Sequence, residues 1–141
     1  MTSDDHIALH RFRLAAIAFA VGTTIHVADH LRRGQGSVSE LLFTLGNTAL
    51  VLQVVTVTLA LVGHRTAPRL AAIAGPSLAV GFLAAHWLPR WSAMSDPVWE
   101  VPSLPWLTVM ASVAEIAGAV AIGWAGLALE LGSVRGRGVA A

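Results

Sequence analysis

The chain has 141 residues, of which 55% are hydrophobic and only 12% charged, and its mean hydropathy is +0.69. Such a composition excludes an ordinary water-soluble domain and reads as one integral membrane domain. A formal net charge of +1 gives no basis for nucleic-acid binding. The absence of cysteine rules out disulfides, thiolate metal sites and cysteine nucleophiles.

Four apolar segments follow one another along the chain, at about 14–31, 41–63, 70–88 and 104–131. Each is long enough, against the roughly 17–25 residues required, to cross the hydrocarbon layer as a helix. Lipid offers no partner for a free amide, so helices are the expected form. The first segment follows Arg11 and Arg13 as a signal peptide would, but it ends in His26, Asp29 and His30 rather than in a small-residue cleavage site, and is read as a helix. The joining stretches are short: RRGQGSVSE at 32–40, HRTAPR at 64–69, and the proline- and tryptophan-rich PRWSAMSDPVWEVPS at 89–103. The Gly/Arg-rich tail 132–141 is expected to fray. The fold class expected is therefore all-α, an antiparallel up-down-up-down bundle of four transmembrane helices.

Arginines set the orientation. Arg11, Arg13, Arg65, Arg69, Arg135 and Arg137 collect on one side, against Arg32, Arg33 and Arg90 on the other. The positive-inside rule then places both termini in the cytoplasm of a multi-pass protein of a cell membrane, with a bacterial inner membrane as the expected setting. Trp87, Trp91, Trp99 and Trp106 gather near the external side, as in an aromatic interfacial belt.

Polar residues interrupt this pattern at a few places. TTIHVADHLRR closes the first segment, putting His26, Asp29 and His30 at i, i+3 and i+4, which is one broad helix face. Two imidazoles four residues apart can hold one metal from a single helix, and His86, at similar depth on the third segment, supplies a third. Asp29 is a candidate ligand, or a group that orients an imidazole. The plainer role for Asp29 and His30 is to mark, with Arg32 and Arg33, where the helix leaves the membrane. Glu115 lies about 16 Å into the last segment, close to the midplane, where an ionisable group usually faces a bundle interior or an aqueous cavity. Thr108, Ser112 and Glu115 share a face that Gly118 and Ala119 continue. In the second segment Asn47 belongs to the external half, whereas Gln53 sits deeper on another face, and an interhelical hydrogen bond is the ordinary role for both.

These residues define a polar pocket opening outward and lined by His26, Asp29, His30, Asn47, His86 and Glu115, with the 89–103 loop, carrying Asp96 and Glu100, as its cap. Candidate catalytic residues are His26, Asp29, His86 and Glu115. Candidate binding residues are Asn47, Ser112, Trp87 and Trp91, and candidate metal ligands are His26, His30 and His86. A divalent metal or haem b are the cofactors this set allows. Three function classes follow: a membrane enzyme or binding protein for a small amphiphile, a haem- or quinone-binding redox protein, and a non-catalytic accessory subunit or small transporter. The partners implied are the bilayer, a small amphiphilic ligand, and either a second copy or a partner membrane subunit. In size and four-span layout the chain resembles the DoxX-like group of small bacterial membrane proteins. That resemblance implies a small integral membrane protein, in some cases associated with redox systems, and assigns no residue.

Overall fold

The computed structural model describes residues 3–103 and 105–139, with side chains for 6–34, 36–103 and 105–133. It is all-helical: α1 (Ser3–Arg33), α2 (Glu40–Leu61), α3 (Ala67–His86) and α4 (Pro105–Val139), with short 3-10 turns at Gln35–Ser37 and Val98–Glu100. All four helices are long and apolar enough to span a membrane. They succeed one another antiparallel, as the short connections require.

Their limits exceed the apolar segments at the two chain ends. α1 begins at Ser3 because helix formation continues through charged residues that hydropathy leaves out. Phe12, Ala16 and Phe19 are already buried, at i, i+4 and i+7. The same face then changes character and continues as Thr23, His26 and Asp29, all buried. α4 remains helical to Val139, although its apolar run stops earlier; of the tail 132–141, Ala140 and Ala141 lie outside the described residues, as does Leu104 at the head of that span.

Local chemistry sets the other boundaries. Ser39 caps α2, its hydroxyl accepting from the Leu42 amide at 3.1 Å. Gly63 ends it in the left-handed region, with φ 71°, while the His64 amide closes back on the Leu59 carbonyl at 2.9 Å. Pro68 stands in the first turn of α3, where its missing N–H costs no helical bond.

Helix association in lipid cannot draw on the hydrophobic effect and depends on close van der Waals contact. α1 and α3 both seat closely on α4, and α2 leans more lightly on α1 and α3. At Gly22 a Cβ would come 2.5 Å from the Ala114 carbonyl oxygen, and at Gly75 a Cβ would come 2.5 Å from that of Ala119. Only glycine permits these approaches. The α4 stripe Thr108, Ser112, Glu115, Ala119 and Ile122 is buried along its whole length, as its spacing predicts. On α2, by contrast, Gln53, Thr56 and Ala60 are the buried residues.

Candidate metal centre and cleft

The polar half of the α1 inner face meets the end of α3 at the level of the 87–104 connection. His26 and His86 are buried and His30 is half-buried. Their ring centroids lie 4.6 Å (His26–His30), 4.9 Å (His26–His86) and 5.9 Å (His30–His86) apart. One nitrogen from each ring falls within 4.8 Å of the others, an arrangement that can hold one metal ion. Local helical spacing brings two of the three together. The third is 56 residues beyond His30 and arrives through the antiparallel return of α3.

Each imidazole has a partner on its outer side. His86 Nδ1 stands 2.9 Å from the Asp96 carbonyl oxygen, which can only accept, so its hydrogen is on Nδ1 and Nε2 keeps a lone pair. His30 Nδ1 is 2.9 Å from an Arg33 Nη2 group, which can only donate. The same Nη2 group lies farther from His30 Nε2, at 3.3 Å; with neutral rings the shorter contact puts the His30 hydrogen on Nε2, where it donates to His26 Nε2 at 3.0 Å. His26 is left with its hydrogen on Nδ1, which faces Glu115 Oε2 at 3.3 Å but off the line of a good hydrogen bond. These tautomers follow from donor and acceptor matching.

Glu115 is held from behind. Its carboxylate is hydrogen-bonded to the Gln53 side chain, and Gln53 Oε1 accepts from the Thr23 hydroxyl at 2.5 Å. The carbonyl end of the amide is thus occupied, and it is the amide nitrogen that donates to Glu115. A network from three helices runs Thr23, Gln53, Glu115, His26, His30.

The connection is fastened onto the site by Asp96. Its amide donates to the Ala85 carbonyl at 2.8 Å, and its carboxylate takes Arg33 in a fork, at 3.1 and 2.7 Å. Arg33 Nε also faces Asp29 Oδ2 at 3.2 Å, and Arg32 bonds Asp29 Oδ1 at 2.7 Å. The residue pair that reads in sequence as a membrane boundary is in Arg33 a buried clamp, its side chain 5% exposed.

Beside the histidines opens a cleft of about 670 Å³ between α2 and the α1–α3 pair. Its walls are mostly apolar, with Leu42, Leu45 and Leu50 from α2 and Leu78, Phe82 and Ala85 from α3. His26, His30, His86, Asn47, Gln53 and Glu115 supply polar groups.

The structure therefore brings His26, His30, His86 and Glu115 together. Asp29 is not among the cleft-lining residues; both its oxygens face arginines, and it lies outside the metal-capable group. Asn47 lines the cleft, but its amide donates to the Phe43 carbonyl of its own helix at 2.8 Å, a satisfied local bond in place of the interhelical one expected. Trp91 lines the cleft mouth and donates to the Ala84 carbonyl. Trp87 and Ser112 bond each other at 3.1 Å, joining α3 to α4 away from the cleft. Of the two loop acids, Asp96 closes on the site, whereas Glu100 pairs with exposed Arg90. Sequence reasoning left Arg33, Asp96 and Gln53 outside the candidate set. The signals available were the i, i+4 relation of Asp29 to Arg33 and an amide deep in an apolar helix.

No protein-family model, curated protein or solved structure matches this chain.

Proposed function

We propose that this integral membrane protein binds one divalent transition metal through His26, His30 and His86, and uses it on a small amphiphile held in the adjoining cleft. The observation that carries this reading is the convergence of three imidazoles, from two helices, within 4.8 Å of one another on the wall of an apolar cavity. Three histidines with an open fourth position suit zinc in a catalytic setting. Glu115 behind His26 and the Asp96 carbonyl behind His86 are the outer partners such ligands ordinarily have. A metal so bound supplies Lewis-acid polarisation of a carbonyl or activation of water. The reading includes a cell-membrane location with cytoplasmic termini, from the arginine bias, and it leaves the DoxX-like layout as a likeness of architecture.

Haem b is less well served. Two axial imidazoles must stand on opposite faces of a macrocycle, whereas the His26 and His86 rings meet edge to face with centroids only 4.9 Å apart.

The test is metal analysis of protein purified in mild detergent, with cobalt titration of the metal-stripped form. One metal per chain is expected, with His26→Ala and His86→Ala each abolishing it and the double variant losing little more. Wild-type protein that shows neither bound metal nor a cobalt spectrum overturns the proposal.

A further inference from the structure

The cleft is a long, mostly apolar slot. On α2 its lining runs from Leu42 to Gln53, about 16 Å at the helical rise, and on α3 from His86 down to Ser77, about 14 Å. The slot therefore follows the helices and, in a membrane, the direction of lipid chains. The three histidines stand at the outer end of the α3 wall, and His26 reaches the inner end of the α2 wall through Glu115 and Gln53. Along α3 below them the walls are leucine, alanine and phenylalanine, and the other polar side chains are already engaged, Asn47 and Ser77 with carbonyls of their own helices and Gln53 with Glu115.

Two positions keep the slot open. Gly46 on α2 and Gly81 on α3 both line it, and a Cβ at either would meet no atom within 4 Å. Neither glycine serves a close helix approach, unlike Gly22 and Gly75. The rim is exposed and apolar, with Leu31, Phe43 and Leu45, so the slot communicates with hydrocarbon sideways rather than with water alone. Its volume is within the range of roughly 300–1,000 Å³ typical of small-ligand sites, suited to one hydrocarbon chain rather than a two-chain lipid. A second cleft of about 400 Å³, between α1 and α2, has threonines and Gln53 among its lining residues but no histidine to hold a metal.

We propose that this slot admits the single chain of an acyl lipid from the bilayer, laying its carbonyl or carboxyl head against His26, His30 and His86. The head contact rests on the metal reading above, while the chain contact stands on the slot alone. The ligand class is a long-chain fatty acid or a single-chain ester or amide of one. Gly46 and Gly81 fix the width available to the chain, and Trp91 lies at the mouth.

The experiment uses the full chain in nanodiscs with two readouts. Cobalt-loaded protein is titrated with palmitoyl hydroxamate and with acetohydroxamate, which shares the head and lacks the chain. Separately, a brominated palmitate is added and the Trp91-dependent quenching is taken as the difference from Trp91→Phe. Wild type is expected to respond to both hydroxamates and to show Trp91-dependent quenching. Gly46→Phe and Gly81→Phe should retain cobalt and the acetohydroxamate response. They should weaken the palmitoyl response at least about tenfold, the low end for a steric mismatch in an apolar pocket, and lose the quenching. Unchanged palmitoyl binding and quenching in both glycine variants overturn the chain site, whatever the metal result. Failure of cobalt to bind, with glycine-sensitive quenching intact, overturns the metal reading and supports the chain site.

Discussion

Arg33 places one Nη2 group 2.9 Å from Nδ1 of His30 while holding Asp96 Oδ2 at 2.7 Å. A histidine that binds metal through Nε2 must carry its remaining hydrogen on Nδ1, where it then meets another donor. Metal binding at the triad therefore requires this contact to break, and the guanidinium opposes it. Lysine at 33 keeps a cation for Asp96 but presents one compact head that cannot reach both partners. Arg33→Lys is expected to bind cobalt or zinc several-fold more tightly, measured by competition with a chromophoric chelator. Weaker binding would show that the fork to Asp96 matters more to the site than the block on His30.

Glu115 faces the hydrogen of His26 and receives the Gln53 amide, so its two neighbours respond differently to substitution. Glu115→Gln preserves a carbonyl oxygen and should fold normally, with metal affinity reduced by roughly 10–100-fold, as for other lost outer partners. Glu115→Leu removes every acceptor, leaving the Gln53 donor buried and unpaired and the His26 hydrogen facing hydrocarbon, and costs about 1–3 kcal/mol. Thermal unfolding in detergent should separate the two. Equal melting temperatures for both variants would mean that the network carries no structural weight.

Asp96 is the acid that neutralises Arg33 inside the protein, the two side chains being 10% and 5% exposed. Removing Asp96 leaves Arg33 only Asp29, which Arg32 also holds, and the loss approaches that of breaking a buried pair, about 3–5 kcal/mol. Asp96→Ala is accordingly expected to melt far below wild type and to lose metal, because the backbone carbonyl that orients His86 sits on a loop no longer fastened by Arg33. Asp96→Asn keeps one acceptor for Arg33 and should fall between them. A melting temperature for Asp96→Ala within a degree of wild type would contradict the clamp.

Orientation is open to labelling, since the chain has no cysteine of its own. Cysteines introduced at Thr66 and Ser103 lie on exposed positions at opposite ends of the bundle. Ser95 would serve poorly, being buried with its hydroxyl bonded to the Trp91 amide. An impermeant maleimide added to intact cells should label Ser103→Cys and spare Thr66→Cys. The reverse pattern would invert the membrane assignment.

Four helices were legible because hydropathy records the membrane directly, and the His26–His30 pair because helical spacing is local. The common depth of His26 and His86 could be inferred once alternating spans were assumed. The interhelical bond expected of Gln53 is present, to Thr23, but its place beside Glu115 was not legible, because which face of α2 turns inward depends on how that lightly seated helix is rotated, which its own residues do not determine. Asn47 looked like interhelical glue, yet an amide can bond its own i−4 carbonyl without any partner helix. Arg33 was hidden for a different reason. Its pairing with Asp29 is written in the spacing, but the partner that buries it, Asp96, is 63 residues away on a loop.

The close seating of α1 and α3 on α4 through Gly22 and Gly75 divides the labour within the bundle. Every group of the metal centre, the three histidines and Glu115 alike, belongs to that interlocked trio. α2, which supplies the remaining wall of the cleft, does not, and it reaches the trio's polar groups through Gln53. If the slot admits acyl chains as proposed, this arrangement would hang a tolerant doorway on a stiff frame, with chains of differing thickness pressing on α2 rather than on the spacing of the three imidazoles.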